Sequence, residues 1–195
     1  VYDEAEIRKN IHRLKDAFRW NPGFKEYFAV KSTPTPGVLN IFLQEGCGAE
    51  CASLTELKLA QRCGFRRENI MFTSNVTTQE EYQLASDLGA VINIDDTGHL
   101  SLLEEWIGLP ETLCFRLNPG EQLRFGENIL LDYRNSKFGS TKVQLEAAYN
   151  EVLEKGTKRL GLHAQFGCHK RDPEFLGKNA KKIFGFAVEL YEKKG

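Results

Sequence analysis

The sequence predicts an α/β fold built on a parallel sheet. Three observations carry this. Six short apolar runs recur along the 195 residues, each run precedes a stretch of helical spacing, and turn residues punctuate the alternation. A strand that returns through a helix to the same sheet lies parallel to its predecessor, because the crossover brings the chain back to the same end.

The elements follow in order. Residues 3–18 place Ile7, Ile11, Leu14 and Phe18 at helical intervals with charge elsewhere, which predicts an amphipathic helix ended by Asn21-Pro22-Gly23. The aromatic and β-branched run Tyr27 to Lys31 predicts the first strand, stopped by Pro34 and Pro36. Residues 36–46 read as a helix with proline near its start and glycine at its end. Residues 48–52 predict a strand and 53–63 a helix, whose start, Ser53-Leu54-Thr55-Glu56, has the spacing of a capping box. Strands 70–73 and 90–94 precede helices 78–88 and 97–107. Strand 112–117 leads into a polar loop over 118–140, then a helix over 141–155. A strand over 160–166 and a helix over 173–194 close the chain.

An open doubly wound sheet and a β/α barrel both fit this rhythm. No Gly-x-Gly-x-x-Gly follows the first strand, which counts against a dinucleotide-binding fold. A barrel needs eight strands, so six imply that the chain stops before closure. An arc of six would leave strand edges uncovered.

Composition narrows the function. With 26 basic and 27 acidic residues, the net charge of -1 leaves no footprint for nucleic acid or an acidic membrane surface. No apolar run approaches the roughly 20 residues that span a bilayer. The start, Val1-Tyr2-Asp3-Glu4, has no charged segment leading into an apolar one, so no secretory signal is expected. The cysteines, Cys47, Cys51, Cys63, Cys114 and Cys168, are odd in number and match no zinc spacing. Buried free thiols in a reducing cytoplasm account for them.

Lys31 is the most informative residue. It closes an apolar strand at the carboxyl end, the end that carries the active site in parallel α/β folds. Partial desolvation there favours the neutral amine, which can condense with an aldehyde. A lysine snorkelling at a strand end is the plain structural alternative.

The surrounding run, Tyr-Phe-Ala-Val-Lys-Ser-Thr-Pro-Thr-Pro at 27–36, is joined by further motifs. These are Gly48 to Leu57, Phe72 to Thr77, Ile92 to Asp96, Phe115 to Gly120, Ser136-Lys137-Phe138-Gly139 and Gly161-Leu162-His163. Each is weak alone, but together, in this order and at strand ends, they resemble the pyridoxal-phosphate-dependent decarboxylases of the alanine-racemase fold type. Within that family the diaminopimelate decarboxylases are the nearest group. The resemblance implies a (β/α)8 barrel of the alanine-racemase-like type, with about six β/α units in residues 1–195 and a separate β-domain outside them. It further implies pyridoxal 5'-phosphate as cofactor, an amino-acid substrate, and a cytoplasmic homodimer with shared active sites. Phosphate-site, pyridinium-facing and partner-subunit residues would lie outside the chain.

Residue by residue, the resemblance gives Lys31 the covalent attachment of the cofactor. Glu50 stands where these families usually have aspartate, and would position the lysine or the cofactor. Arg116 matches an arginine near the cofactor. His163 is a candidate for cofactor contact. Gln165 replaces a histidine that stacks on the pyridine ring in many relatives, which puts that stacking in doubt here. Cys168 occupies the place of a phosphate-binding serine, and a thiol is a weak donor. Lys137 faces either the substrate cleft or a dimer contact, or is a solvated loop lysine. His99 and His169 read as surface residues. Asp95-Asp96 resembles a metal pair, but adjacent strand positions face opposite ways, so no metal site is expected. Three other readings stay open: a racemase on the same barrel, a non-catalytic regulator motivated by Glu50, Gln165 and Cys168, and an open α/β domain with another ligand. Ornithine, arginine and carboxynorspermidine are the alternative decarboxylase substrates.

Overall fold

A computed structural model describes residues 1–120, 122–125, 129–132, 136–165 and 172–194. The chain divides into two compact units, Val1–Ile92 and Asn93–Gly195.

The first unit opens with helix α1 (Glu4–Ala17), capped by Asp3, whose carboxylate accepts from the amide of Glu6 at 3.1 Å. Strand β1 (Tyr27–Ala29) is followed by helix α2 (Pro36–Gln44), strand β2 (Gly48–Cys51), helix α3 (Leu54–Cys63) and strand β3 (Ile70–Ser74). Helix α4 (Gln79–Asp87) completes the unit. The strands pair in parallel, with Ala29 opposite Glu50 and Glu50 opposite Met71. Leu39, Ala49, Cys51, Leu57, Ala60, Ile70, Phe72 and Ala85 are buried, which places the core between strands and helices.

The expected cap of α3 forms: Ser53 Oγ accepts from the amide of Glu56 at 3.3 Å. Its reciprocal half is shifted by one residue, because the Glu56 carboxylate accepts from the amide of Ala52 at 2.8 Å. A complete capping box stands at Thr78 and Glu81 of α4.

The division between units falls within strand β4 (Val91–Ile94). The second unit continues with helix α5 (Leu100–Ile107), preceded by a 3-10 turn over Thr97–His99, and strand β5 (Thr112–Arg116). Strands β6 (Gln122–Phe125) and β7 (Ile129–Asp132) come next, then helix α6 (Lys142–Glu154), strand β8 (Arg159–His163) and helix α7 (Pro173–Lys194). Strands β5 and β8 pair in parallel, with Cys114 opposite Gly161 and Arg116 opposite His163. Leu103, Leu113, Phe115, Leu145, Val152 and Phe186 are buried. Tyr149 packs edge-on to Phe115 and donates its hydroxyl to the carbonyl of Gly161 at 2.8 Å. That burial pushes the Tyr149 hydroxyl far above its ordinary pKa.

Each of the six predicted strands is therefore present, and a helix separates each from the next. Two expectations need correction. The polar segment 118–140 contains an antiparallel hairpin, β6 against β7, with Leu123 opposite Leu131. The predicted strand over 160–166 ends at His163, so Gln165 lies beyond the ladder. Of the cysteines, Cys47, Cys51 and Cys114 are buried free thiols and Cys63 is half-buried. Burial raises the pKa of Cys114 to about 11, which makes it a poor nucleophile. Cys168 and His169 lie outside the described residues. No helix among the described residues is long and apolar enough to cross a membrane.

Candidate active site

In the first unit, β1 ends at Ala29 and Lys31 sits on a single 3-10 turn, Val30–Ser32. The apolar run predicts one strand through Lys31, but only Tyr27, Phe28 and Ala29 pair with β2. Val30 is fully buried and anchors the turn, while the hydroxyl of Ser32 donates to the carbonyl of Ala29 at 2.7 Å. The turn releases Lys31 from the ladder and lets its side chain leave the sheet. The desolvation expected of Lys31 is absent, since its side chain is 60 % exposed. Glu50 is more enclosed, at 21 %, and its Oε2 stands 3.9 Å from Lys31 Nζ. That separation is an ion pair, longer than a hydrogen bond. The register explains it: Glu50 lies opposite Ala29, two residues before Lys31.

The second unit holds a denser cluster. Arg116 ends β5 and is buried. Its Nη1 donates to Asp95 Oδ1 at 2.6 Å and its Nη2 to Gln165 Oε1 at 2.8 Å. The guanidinium also lies 4.7 Å from the centre of the Phe138 ring. A guanidinium carries five N–H donors. Apart from those two bonds and the ring contact, the Arg116 side chain makes no further hydrogen bond, ion pair or ring contact among the described residues. A buried cation with spare donors is the chemistry that holds an anion.

Asp95 is 2 % exposed and also accepts the amide of Gly139 at 3.3 Å. Asp96, its neighbour, is exposed and caps the following turn by accepting from Gly98 at 2.8 Å. The two carboxylates serve different partners, and both lie just past the end of β4 rather than within it. Sequence reasoning missed Asp95 as a site residue. The available signal was a carboxylate at the end of an apolar strand, which stays buried only when paired.

His163 ends β8. Asn93 Nδ2 stands 3.1 Å from His163 Nδ1, which ties the ring to the end of β4. Lys137 is exposed, with its ammonium 5.1 Å from the Phe138 ring centre. His99 is half-buried at the end of its 3-10 turn. The predicted residues thus gather as two clusters, Lys31 with Glu50 in the first unit and Arg116 with Gln165 in the second.

Comparison with known proteins identifies relatives. A family profile described as "Pyridoxal-dependent decarboxylase, pyridoxal binding domain" matches residues 4–195. Protein TabA of Pseudomonas amygdali pv. tabaci is 39% identical over 163 residues, which are 84% of this chain and 38% of TabA. The diaminopimelate decarboxylase of Methanothermobacter thermautotrophicus is 30% identical over 196 residues, 100% of this chain and 46% of the relative. Among solved structures, the diaminopimelate decarboxylase of Methanocaldococcus jannaschii in complex with L-lysine superposes with a TM-score of 0.85 at 26% identity. It covers 98% of this chain and 47% of that one. The chain spans less than half the length of each of these relatives.

Proposed function

The chain belongs to the pyridoxal-dependent decarboxylases, as their pyridoxal binding domain, and we propose that the full-length protein removes the α-carboxyl group of meso-diaminopimelate to give L-lysine. Its fold is α/β, that of the alanine-racemase-like decarboxylases, and the family's cofactor is pyridoxal phosphate. The residues present fit that group: a primary amine accessible to an aldehyde, and a buried guanidinium with donors to spare.

The observation that carries the reading is the Lys31–Glu50 pair at the tip of β1. Lys31 would attach the cofactor, because its amine is held by a structured turn yet open to approach. Glu50 would orient that amine and hold a proton beside Nζ, its charge acting across 3.9 Å. Arg116 would bind an anionic group, and His163 would contact the cofactor with its ring held by Asn93. When bound, pyridoxal phosphate supplies an aldehyde for the amine and a ring that takes up the electron pair left by the departing carboxyl group. Cys168, outside the described residues, stands at the phosphate-binding place, and backbone amides around Gly167 would serve the phosphate in place of its thiol.

The same reading makes residues 1–195 part of a barrel domain, with the remaining strands and a β-domain supplied elsewhere in the full-length protein. It also entails a cytoplasmic homodimer with shared active sites. A second substrate reading, ornithine, arginine or another amino acid, is favoured by one observation. TabA, the more similar of the two curated relatives compared, carries a name other than diaminopimelate decarboxylase.

The test is carbon dioxide release by the full-length protein with pyridoxal phosphate, against meso-diaminopimelate, ornithine and arginine. Release from diaminopimelate is expected, and Lys31→Ala should abolish it. Turnover by Lys31→Ala at the wild-type rate would remove Lys31 from the chemistry. Inversion at the α-carbon without gas release would make the protein a racemase.

A further inference from the structure

The cluster around Arg116 contains a carboxylate with no assigned task. Asp95 is buried at the carboxyl end of β4, and its two oxygens serve different partners. Oδ1 takes Nη1 of Arg116 at 2.6 Å and Oδ2 takes the amide of Gly139 at 3.3 Å. The loop that supplies Gly139 is stitched down on both sides. Ser140 donates its amide to the carbonyl of Arg116 at 2.9 Å, and Asn118 donates its amide to the carbonyl of Ser140 at 2.8 Å. Ser140 Oγ accepts from the amide of Thr97 at 2.9 Å. Phe138, from the same loop, covers one face of the guanidinium. Arg116 is thus fixed along one edge by charge and across one face by an aromatic ring.

An arginine held in this way has one rotational state to offer, and Gln165 reads it. The side-chain oxygen of Gln165 accepts from Nη2 at 2.8 Å, so that oxygen is committed to Arg116. Gln165 stands past the end of β8 and is solvent-exposed, where the charge-assisted bond to Arg116 is a strong restraint on its rotamer. The direction of that bond comes from Arg116, and the placement of Arg116 from Asp95.

We propose that Asp95 is a positioning residue for the cofactor site: it fixes the orientation of Arg116, with the Gln165 oxygen on the other edge, and so sets where the remaining guanidinium donors point. This rests on the pyridoxal-phosphate reading above. The signature of such a relay is that charge can be supplied from either end. A carboxylate at position 165 lies on the same guanidinium as Asp95, so it can replace the charge that Asp95 provides.

The experiment uses the full-length protein, freed of cofactor, with affinity for pyridoxal phosphate titrated by visible absorption. Four forms are compared: wild type, Asp95→Asn, Gln165→Glu and the double variant. Asp95→Asn is expected to weaken affinity tenfold or more when introduced into the wild type, and less than threefold when introduced into the Gln165→Glu variant. Comparing within each background cancels whatever Gln165→Glu does by itself. An equal penalty in both backgrounds, or no penalty in either, would overturn the proposal. If Asp95→Asn fails to fold, the double variant decides: folding with cofactor bound supports the relay, and failure to fold reduces Asp95 to a structural ion pair. Absence of binding by the wild type would instead sink the cofactor reading itself.

Discussion

Replacing Gly139 by alanine should destabilise the second unit through two separable effects. The residue has φ +76, in the left-handed region, where a side chain costs about 1–2 kcal/mol. A Cβ there would also stand 2.7 Å from the Asn118 nitrogen, 2.9 Å from the Leu117 carbonyl carbon and 3.1 Å from the Arg116 oxygen. All three are backbone atoms of a segment already hydrogen-bonded to Ser140, so none can swing aside as a flexible side chain would. Overpacking of this kind costs typically about 1–3 kcal/mol. The control is Gly156→Ala, at φ +102 with nothing within 4 Å of the added atom, which isolates the conformational part. Gly139→Ala should therefore lose about 2–5 kcal/mol and Gly156→Ala about 1–2 kcal/mol. At about 2–4 °C per kcal/mol, the Gly139 variant should melt roughly 4–20 °C lower than wild type. Urea unfolding of the full-length protein, followed by circular dichroism, gives both free energies. Values for the two variants that agree to within about 0.5 kcal/mol, inside the usual scatter of independent substitutions, would refute the steric argument.

Two further outcomes follow from single contacts. Gly161 lies opposite Cys114, and an added Cβ would strike the Cys114 sulfur, so Gly161→Ala should cost about 1–3 kcal/mol. Cys114→Ala should recover part of that loss in the double variant, a coupling visible in a four-form unfolding cycle, whereas strict additivity would place the clash elsewhere. Glu26 is half-buried beside Lys15, Phe18 and Phe24, and burial raises its carboxyl pKa. The folded protein then binds that proton more tightly than the unfolded chain does. Its contribution to stability is present at low pH and lost as pH rises from the ordinary carboxylate range through the raised value. Glu26→Gln should raise the urea midpoint at pH 7 and leave it nearly unchanged at pH 4, and an equal shift at both would contradict the assignment.

The order of elements was legible because apolar periodicity is local, and local spacing decides whether a segment can bury one face. The helix starts at Ser53 and Pro36 were legible for the same reason, since caps are written in adjacent residues. What escaped was set by contacts distant in sequence. Nothing in Tyr27 to Lys31 says that pairing with β2 stops at Ala29, because that depends on the length of β2 and on Val30 finding a buried seat. The exposure of Lys31 follows from that turn. The hairpin of β6 and β7 did carry a signal, two runs bearing leucine and phenylalanine around Gly126-Glu127-Asn128, but charges within them masked the alternation. Lys31, Glu50, Arg116 and His163 are candidates that the sequence offers one at a time, whereas the pairing of Arg116 with Asp95 joins the ends of β4 and β5 and exists only in three dimensions.

The parallel bridge between Leu117 and Ser140 pinches the chain at the point where it leaves β5 and returns before α6. The stretch from 118 to 139 is therefore a closed excursion whose two ends meet at that neck. Lengthening such a loop costs little, about 0.6 kcal/mol for each doubling, because closure entropy grows only with the logarithm of its length. The connection between β6 and β7 is accordingly the place where an inserted peptide, an epitope or a fluorophore attachment site would be tolerated, with the clasp at its base insulating the rest of the unit from the graft.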